Sequence, residues 1–240
     1  MPSTTWTPHA VASELIRLRR RLWRAVEAQH VASTLRLVAT AEEQLALERI
    51  LEASKPPVPP DAVRLHYLLA TPFRYPSPFG SRFRAPVESG VWYGAEAART
   101  ACAELGYWRW RFLMDSAGLE TLGPSPQTVF QAGIDTRAVD LTRAPFRRDH
   151  ARWRHPYEYG PTQQFAALAR QAQAGAIRYA SVRDPEHAAA VAVLRADAFK
   201  PPRPLQQSTW FLTLKPDRVI WRREAESFEF VAADWKAPRG

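Results

Sequence analysis

From residue 63 to residue 231 the chain is written in short segments suited to an extended backbone, and this limits its fold more than any other feature. Val63–Leu69, Gly90–Tyr93, Thr128–Ile134, Ala176–Ser181, Ala188–Leu194, Thr209–Leu214, Val219–Arg222 and Phe228–Val231 are aromatic or β-branched and mostly bounded by Pro, Gly or Asp, which predicts strands. Two stretches between them read as helices, one from about Glu96 to Ser116 and one from about Thr162 to Ala174, with Gly175 where a C-cap glycine is expected. Strands that cluster without regular βα alternation predict an α+β fold with mostly antiparallel sheets, not a doubly wound parallel sheet.

Residues 1–60 read differently, as a helical segment ahead of a main domain at 61–240. Ser13 can cap a helix in which Leu15, Leu18, Leu22 and Val26 recur at three and four, leaving Arg17, Arg20, Arg21 and Arg24 largely on the other side. Thr40-Ala41-Glu42-Glu43 forms a capping box before Leu47, Ile50 and Leu51, and Lys55-Pro56-Pro57-Val58-Pro59-Pro60 stops that second helix. The proline run is the expected boundary.

No run of about 18 apolar residues is present, and the first ten residues lack a basic stretch followed by an apolar core, so the chain is expected in the cytoplasm with no membrane span. The single Cys102 has no Cys or His at metal-ligand spacing, and the scattered His66, His150, His155 and His187 form no ligand set; no metal site is expected. The net charge of +9 is nearly all arginine, because Lys55, Lys200, Lys215 and Lys236 are the only lysines. Phosphate or nucleic-acid binding gives that bias, and so does genomic base composition. Walker A, Gly-x-Gly-x-x-Gly, Gly-x-Ser-x-Gly and His-Glu-x-x-His signatures are all missing.

The chemistry concentrates between Leu68 and Glu104. Arg74 and Tyr75, then Arg82 and Arg84, fall in segments rich in Pro and Gly, where backbone geometry can aim a guanidinium at phosphate oxygens. Solvated loop arginines are the plainer reading. Tyr93 closes a strand, and Glu104 follows eleven residues later in a helix kept slim by Ala97, Ala98, Ala101 and Ala103. A partly buried carboxylate there needs a partner, either a structural ion pair with an arginine or a bound ligand. Trp92, Trp108 and Trp110 read as core, and Ser181 alone would be an ordinary strand-end hydroxyl.

Taken in order, these residues resemble the RES-domain toxins of bacterial type II toxin–antitoxin systems, named for an arginine, a glutamate and a serine. Phe73-Arg74-Tyr75 looks like the first arginine motif, Gly80-Ser81-Arg82-Phe83 like the Gly-Arg-aromatic motif, and Val91-Trp92-Tyr93 like the strand-ending tyrosine. Glu104 falls at the family's offset, and Gly175 to Arg183 resembles the segment carrying the serine, Ser181. Trp23 to His30, Glu43-Gln44 and Lys55-Pro56 look like the longer, ParT-like branch, from which Ala39 departs where an acidic residue is expected.

The resemblance implies a fold similar to mono-ADP-ribosyltransferases of the diphtheria-toxin type, NAD as substrate rather than cofactor, and inorganic phosphate as co-substrate. It implies catalytic roles for Glu104, Arg82 and Tyr93, and substrate binding by Arg74, Tyr75, Ser181 and, more weakly, Arg84. The implied partner is a Xre-like antitoxin, with nucleic acid contacted only through it. A protein-modifying ADP-ribosyltransferase shares the same pocket and stays open, as does a nucleic-acid-binding module built on the arginine-rich first helix.

Overall fold

In the computed structural model, which describes residues 6–28, 40–75 and 77–235, two long strands set the architecture. Strand β1 (Ile16–Glu27) pairs antiparallel with β3 (Leu122–Asp140) at every residue from Ile16↔Ala138 to Glu27↔Gln127. Three short strands, β2 (Trp92–Ala95), β4 (Ala176–Ala180) and β5 (Ala189–Val193), bridge the remaining edges in the order β1-β2-β5-β4-β3. Because β3 also pairs with β1, these five strands close a ring, and a single rung, Trp23↔Ala95, joins β1 to β2. The N-terminal part of β3 extends past the ring and carries a meander of β6 (Gln206–Leu214), β7 (Arg218–Arg223) and β8 (Glu226–Val231). Among the described strands only the β3–β4 pair is parallel, so the expected α+β fold with mostly antiparallel pairing is found.

Strand β1 corrects the expectation of a helix at the N-terminus. Leu18, Leu22 and Val26 lie four apart, and a spacing of four satisfies period 2 as well as it approximates period 3.6. Pairing with β3 decides between them: Leu18 and Leu22 are buried, while Arg17, Arg19 and Arg21 point to solvent from the opposite face. Among the described residues the only helix before β1 is α1 (Pro8–Ser13), capped by the Thr7 hydroxyl with Pro8 in its first turn. A boundary at residue 60 therefore divides no independent unit, since β1 is a strand of the same sheet.

The second helix is as expected. Helix α2 (Ala41–Ser54) starts on the Thr40–Glu43 capping box and ends before the proline run. Gln29, His30 and Ala39, all used in the branch comparison, lie outside the described residues. A second correction concerns the strand expected at Val63–Leu69. Turns fill 60–64, and helix α3 (Tyr67–Arg74) begins at a His66 cap and buries Leu68, Leu69 and Ala70 together. Three consecutive apolar residues carry no period, so sequence alone cannot separate helix from strand there.

Helix α4 (Ala98–Asp115) packs across β1, β6 and β7 over a core built from Tyr107, Trp110, Trp210, Trp221 and Phe230. On another side of the sheet the short α5 (His150–Trp153) and α6 (Gly160–Gln171) cover Phe83, Phe146 and Ile177, with Phe165 of α6 buried among them. Gly175 is not the C-cap of α6: the left-handed residue after that helix is Gln173, at φ 59°. What excludes a side chain at Gly175 is Thr136, whose hydroxyl a Cβ would strike. Among the described residues no helix is long and apolar enough to cross a membrane.

Candidate active site

Strand β2 delivers Tyr93 to one side of a cleft and α4 delivers Glu104, two turns in, to another. The cleft encloses about 270 Å³, at the lower edge of small-molecule sites, and its remaining walls are the C-terminal part of β1, the 80–82 loop, Tyr159, Tyr179 and Arg183.

Glu104 is held from behind. The Ser181 hydroxyl, fully buried just past β4, donates to its Oε1 at 2.6 Å and accepts from the backbone N–H groups of Arg183 and Asp184. Its one proton is thus committed to the carboxylate, which makes Ser181 a positioning group and leaves none for a ribose or phosphate oxygen. Buried Asp184 accepts from Arg99 Nη1 at 2.6 Å and from Thr100 Oγ1 at 2.7 Å, tying the first turn of α4 to the serine loop. No arginine or lysine among the described residues is within ion-pair distance of Glu104, so the structural ion pair considered from sequence is not formed. Burial pushes the Glu104 carboxyl above its usual range, opposed by the Ser181 hydrogen bond and by the charges of Arg82 and Arg183.

Arg82 lines the cleft with its guanidinium over the Tyr159 ring, and its Nη1 donates at 3.0 Å to the carbonyls of Trp153 and His155. Tyr93 also lines it, but its hydroxyl is occupied: it bonds Ser81 Oγ at 2.8 Å and accepts from the Phe83 N–H, fastening the arginine loop to β2. That leaves its ring, not its hydroxyl, for the cleft.

Three sequence candidates lie elsewhere. Arg74 ends α3 and pairs with Glu52 at 2.7 Å while Nε donates to the Pro56 carbonyl, so it clamps α2 and the proline run to the domain. Tyr75 is exposed under that guanidinium. Arg84 is buried but spent on the carbonyls of Ser77 and Phe79. None of the three lines the cleft.

Two other arginines do. Arg24, on β1, donates from Nη1 to the Tyr93 carbonyl at 2.9 Å and sits over the Trp92 ring, and its buried Nε has no partner. Burial lowers its pKa to about 10, so it stays cationic at neutral pH. Arg183 packs 3.7 Å from the Tyr107 ring centroid and donates from Nη2 to the Pro156 carbonyl. Trp108, expected in the core, is 52% exposed and forms a lip of the cleft. Arg24 was hidden by the helical reading of β1; Arg183, two residues after Ser181, has no local sequence signal.

The result is a fixed carboxylate, free of direct ion pairing, in a cleft with three arginines and several aromatic faces. Such a site can bind an anionic ligand with a flat ring and stabilise positive charge beside the carboxylate. No curated protein matches the chain. Among solved structures the fold is similar to the M. tuberculosis MbcT–MbcA toxin–antitoxin complex, with a TM-score of 0.50 and 11% identity over 87% of this chain and 92% of that one. A family model described as the RES domain matches residues 58–215, well over half of the sequence, and the chain belongs to that family.

Proposed function

We propose that this protein is the toxin of a toxin–antitoxin pair and that it destroys NAD by cleaving the nicotinamide–ribose bond, with inorganic phosphate as the attacking group. The observation that carries the reading is Glu104: a carboxylate in the cleft, oriented by Ser181 and forming no ion pair with any described residue. Family membership and the fold shared with a toxin–antitoxin complex support it. The partner is a Xre-like antitoxin, the compartment the cytoplasm, and nucleic acid is contacted only through the partner.

As the glycosidic bond breaks, its electron pair leaves with nicotinamide and positive charge develops on the ribose. Ionised Glu104 lies beside that charge and lowers the barrier. Arg24, Arg82 and Arg183 bind the pyrophosphate and the attacking phosphate, while Tyr93 and Tyr159 flank the nicotinamide ring. A phosphate oxygen then bonds to the ribose carbon, giving ADP-ribose phosphate. No cofactor is consumed.

The test is to incubate the pure protein with NAD in phosphate and in an inert buffer of equal ionic strength. Nicotinamide release should be faster in phosphate, with a phosphorylated sugar as product. ADP-ribose alone, at a rate indifferent to phosphate, would assign hydrolysis; release only with an added protein acceptor would assign ADP-ribosyl transfer. Intact NAD together with salt-sensitive nucleic-acid binding would assign the binding module.

Ser181→Ala gives a second check. The Ser181 hydrogen bond lowers the Glu104 pKa, so its removal leaves the carboxyl protonated to still higher pH. The acid limb of the kcat/KM profile should move to higher pH while the alkaline limb stays in place; an unmoved acid limb would detach Ser181 from Glu104 function.

A further inference from the structure

A second concavity of about 310 Å³ lies beside Trp153. Its polar lining is Thr142, Arg147, His150 and Arg154, with no carboxylate. The surrounding segment, residues 143–155, contains five arginines, two histidines and one acid, Asp149. That acid is occupied by the Trp6 indole N–H at 2.9 Å and by Arg148. Asp140, the other acid nearby, is buried and engaged by Thr142, Arg143 and Arg178. Arg147 and Arg154 make no side-chain hydrogen bond or ion pair with any described residue.

Two unpaired guanidiniums and an imidazole converging on one hollow focus positive potential there, and their fork geometry suits phosphate oxygens. We propose that this hollow is a second anion site, separate from the Glu104 cleft, that takes the phosphate group of a small molecule. A half-open hollow of this size takes one phosphate and a short organic group, whereas a nucleic-acid strand or acidic peptide would need an extended track. The two sites share a wall. The carbonyls of Trp153, His155 and Pro156 hold Arg82 and Arg183 on the cleft side, while the Arg154 side chain faces the second hollow.

The test is equilibrium dialysis of the full chain carrying Glu104→Gln, which slows turnover, with labelled inorganic phosphate and with ribose 5-phosphate and no NAD present. Arg147→Ala/Arg154→Ala should weaken one class of sites at least tenfold, and Arg147→Glu alone should do the same. Arg24→Ala should leave that class intact. Unchanged melting temperatures would exclude misfolding, which is not expected because neither side chain holds another residue. Tighter binding of ribose 5-phosphate than of phosphate would identify a phosphate ester as the natural ligand; binding of phosphate alone would identify the free ion. The proposal is overturned if the double variant binds both ligands as its parent does. It rests on the Arg147 and Arg154 hollow and not on phosphate being the attacking group: if phosphate does not enter the Glu104 cleft, a single class of sites remains and it is the one sensitive to Arg147 and Arg154.

Discussion

Glu104→Gln is expected to lower the rate of nicotinamide release by on the order of a hundredfold to a thousandfold, the usual loss when a preorganised transition-state charge is removed. The substitution is nearly isosteric and its Oε1 can still accept from Ser181, so geometry is kept and only the charge is lost. Stability should not fall. Because the folded-state pKa of Glu104 is raised, the folded chain keeps this proton to higher pH than the unfolded chain does. The carboxylate therefore costs nothing below its unfolded value, and the cost accumulates as pH rises from there through the raised folded value. The melting temperature of Glu104→Gln should equal or exceed that of the parent at neutral pH, and the gap should narrow on acidification. A stable variant with undiminished turnover would remove Glu104 from catalysis; a variant much less stable at neutral pH would mean the charge supports the fold instead.

Arg24→Ala should weaken binding of NAD by roughly ten- to a hundredfold, as expected for one charge-assisted hydrogen bond of about 1.5–3 kcal/mol. Its guanidinium lines the cleft and is held through Nη1 by the Tyr93 carbonyl, which presents a fixed cation to a ligand. Arg74→Ala is the control. It removes the link to Glu52 and the Pro56 carbonyl, so it should loosen α2, seen as faster amide exchange over 41–54, and leave affinity unchanged. Calorimetry on the two variants decides the assignment, and equal losses would mean that both arginines reach the ligand.

The contrast between these arginines shows where sequence reading succeeds and where it stops. Local rules located α2 from its capping box, α4 as a helical stretch from about Glu96 to Ser116, and the Tyr93-to-Glu104 interval that brings a strand and a helix face to one cleft. Each depends on residues near one another in the chain. Strand β1 depends on a partner more than a hundred residues away, and a leucine spacing of four is compatible with both periods, so its helical reading was wrong and Arg24 was overlooked with it. Arg74 and, more weakly, Arg84 read as phosphate ligands beside Arg82, because nothing local reveals that a guanidinium is already spent on carbonyls or on Glu52. Ser181 was placed in the site, but its partner is the carboxylate; that pairing forms only when β4 and α4 pack together.

The ring of five strands is fastened by one rung, Trp23↔Ala95, and both of those residues line the cleft. The site is therefore also the buckle of the barrel. A ligand gripping Arg24 on one strand and the Tyr93 ring on the next lies across the fastening, so part of its binding free energy goes into holding the hoop shut. Empty, the ring has its thinnest seam where the protein works, so amides beside that seam are expected to exchange faster than the rest of the β1–β3 ladder and to slow on occupancy, which would make binding and closure one equilibrium instead of two.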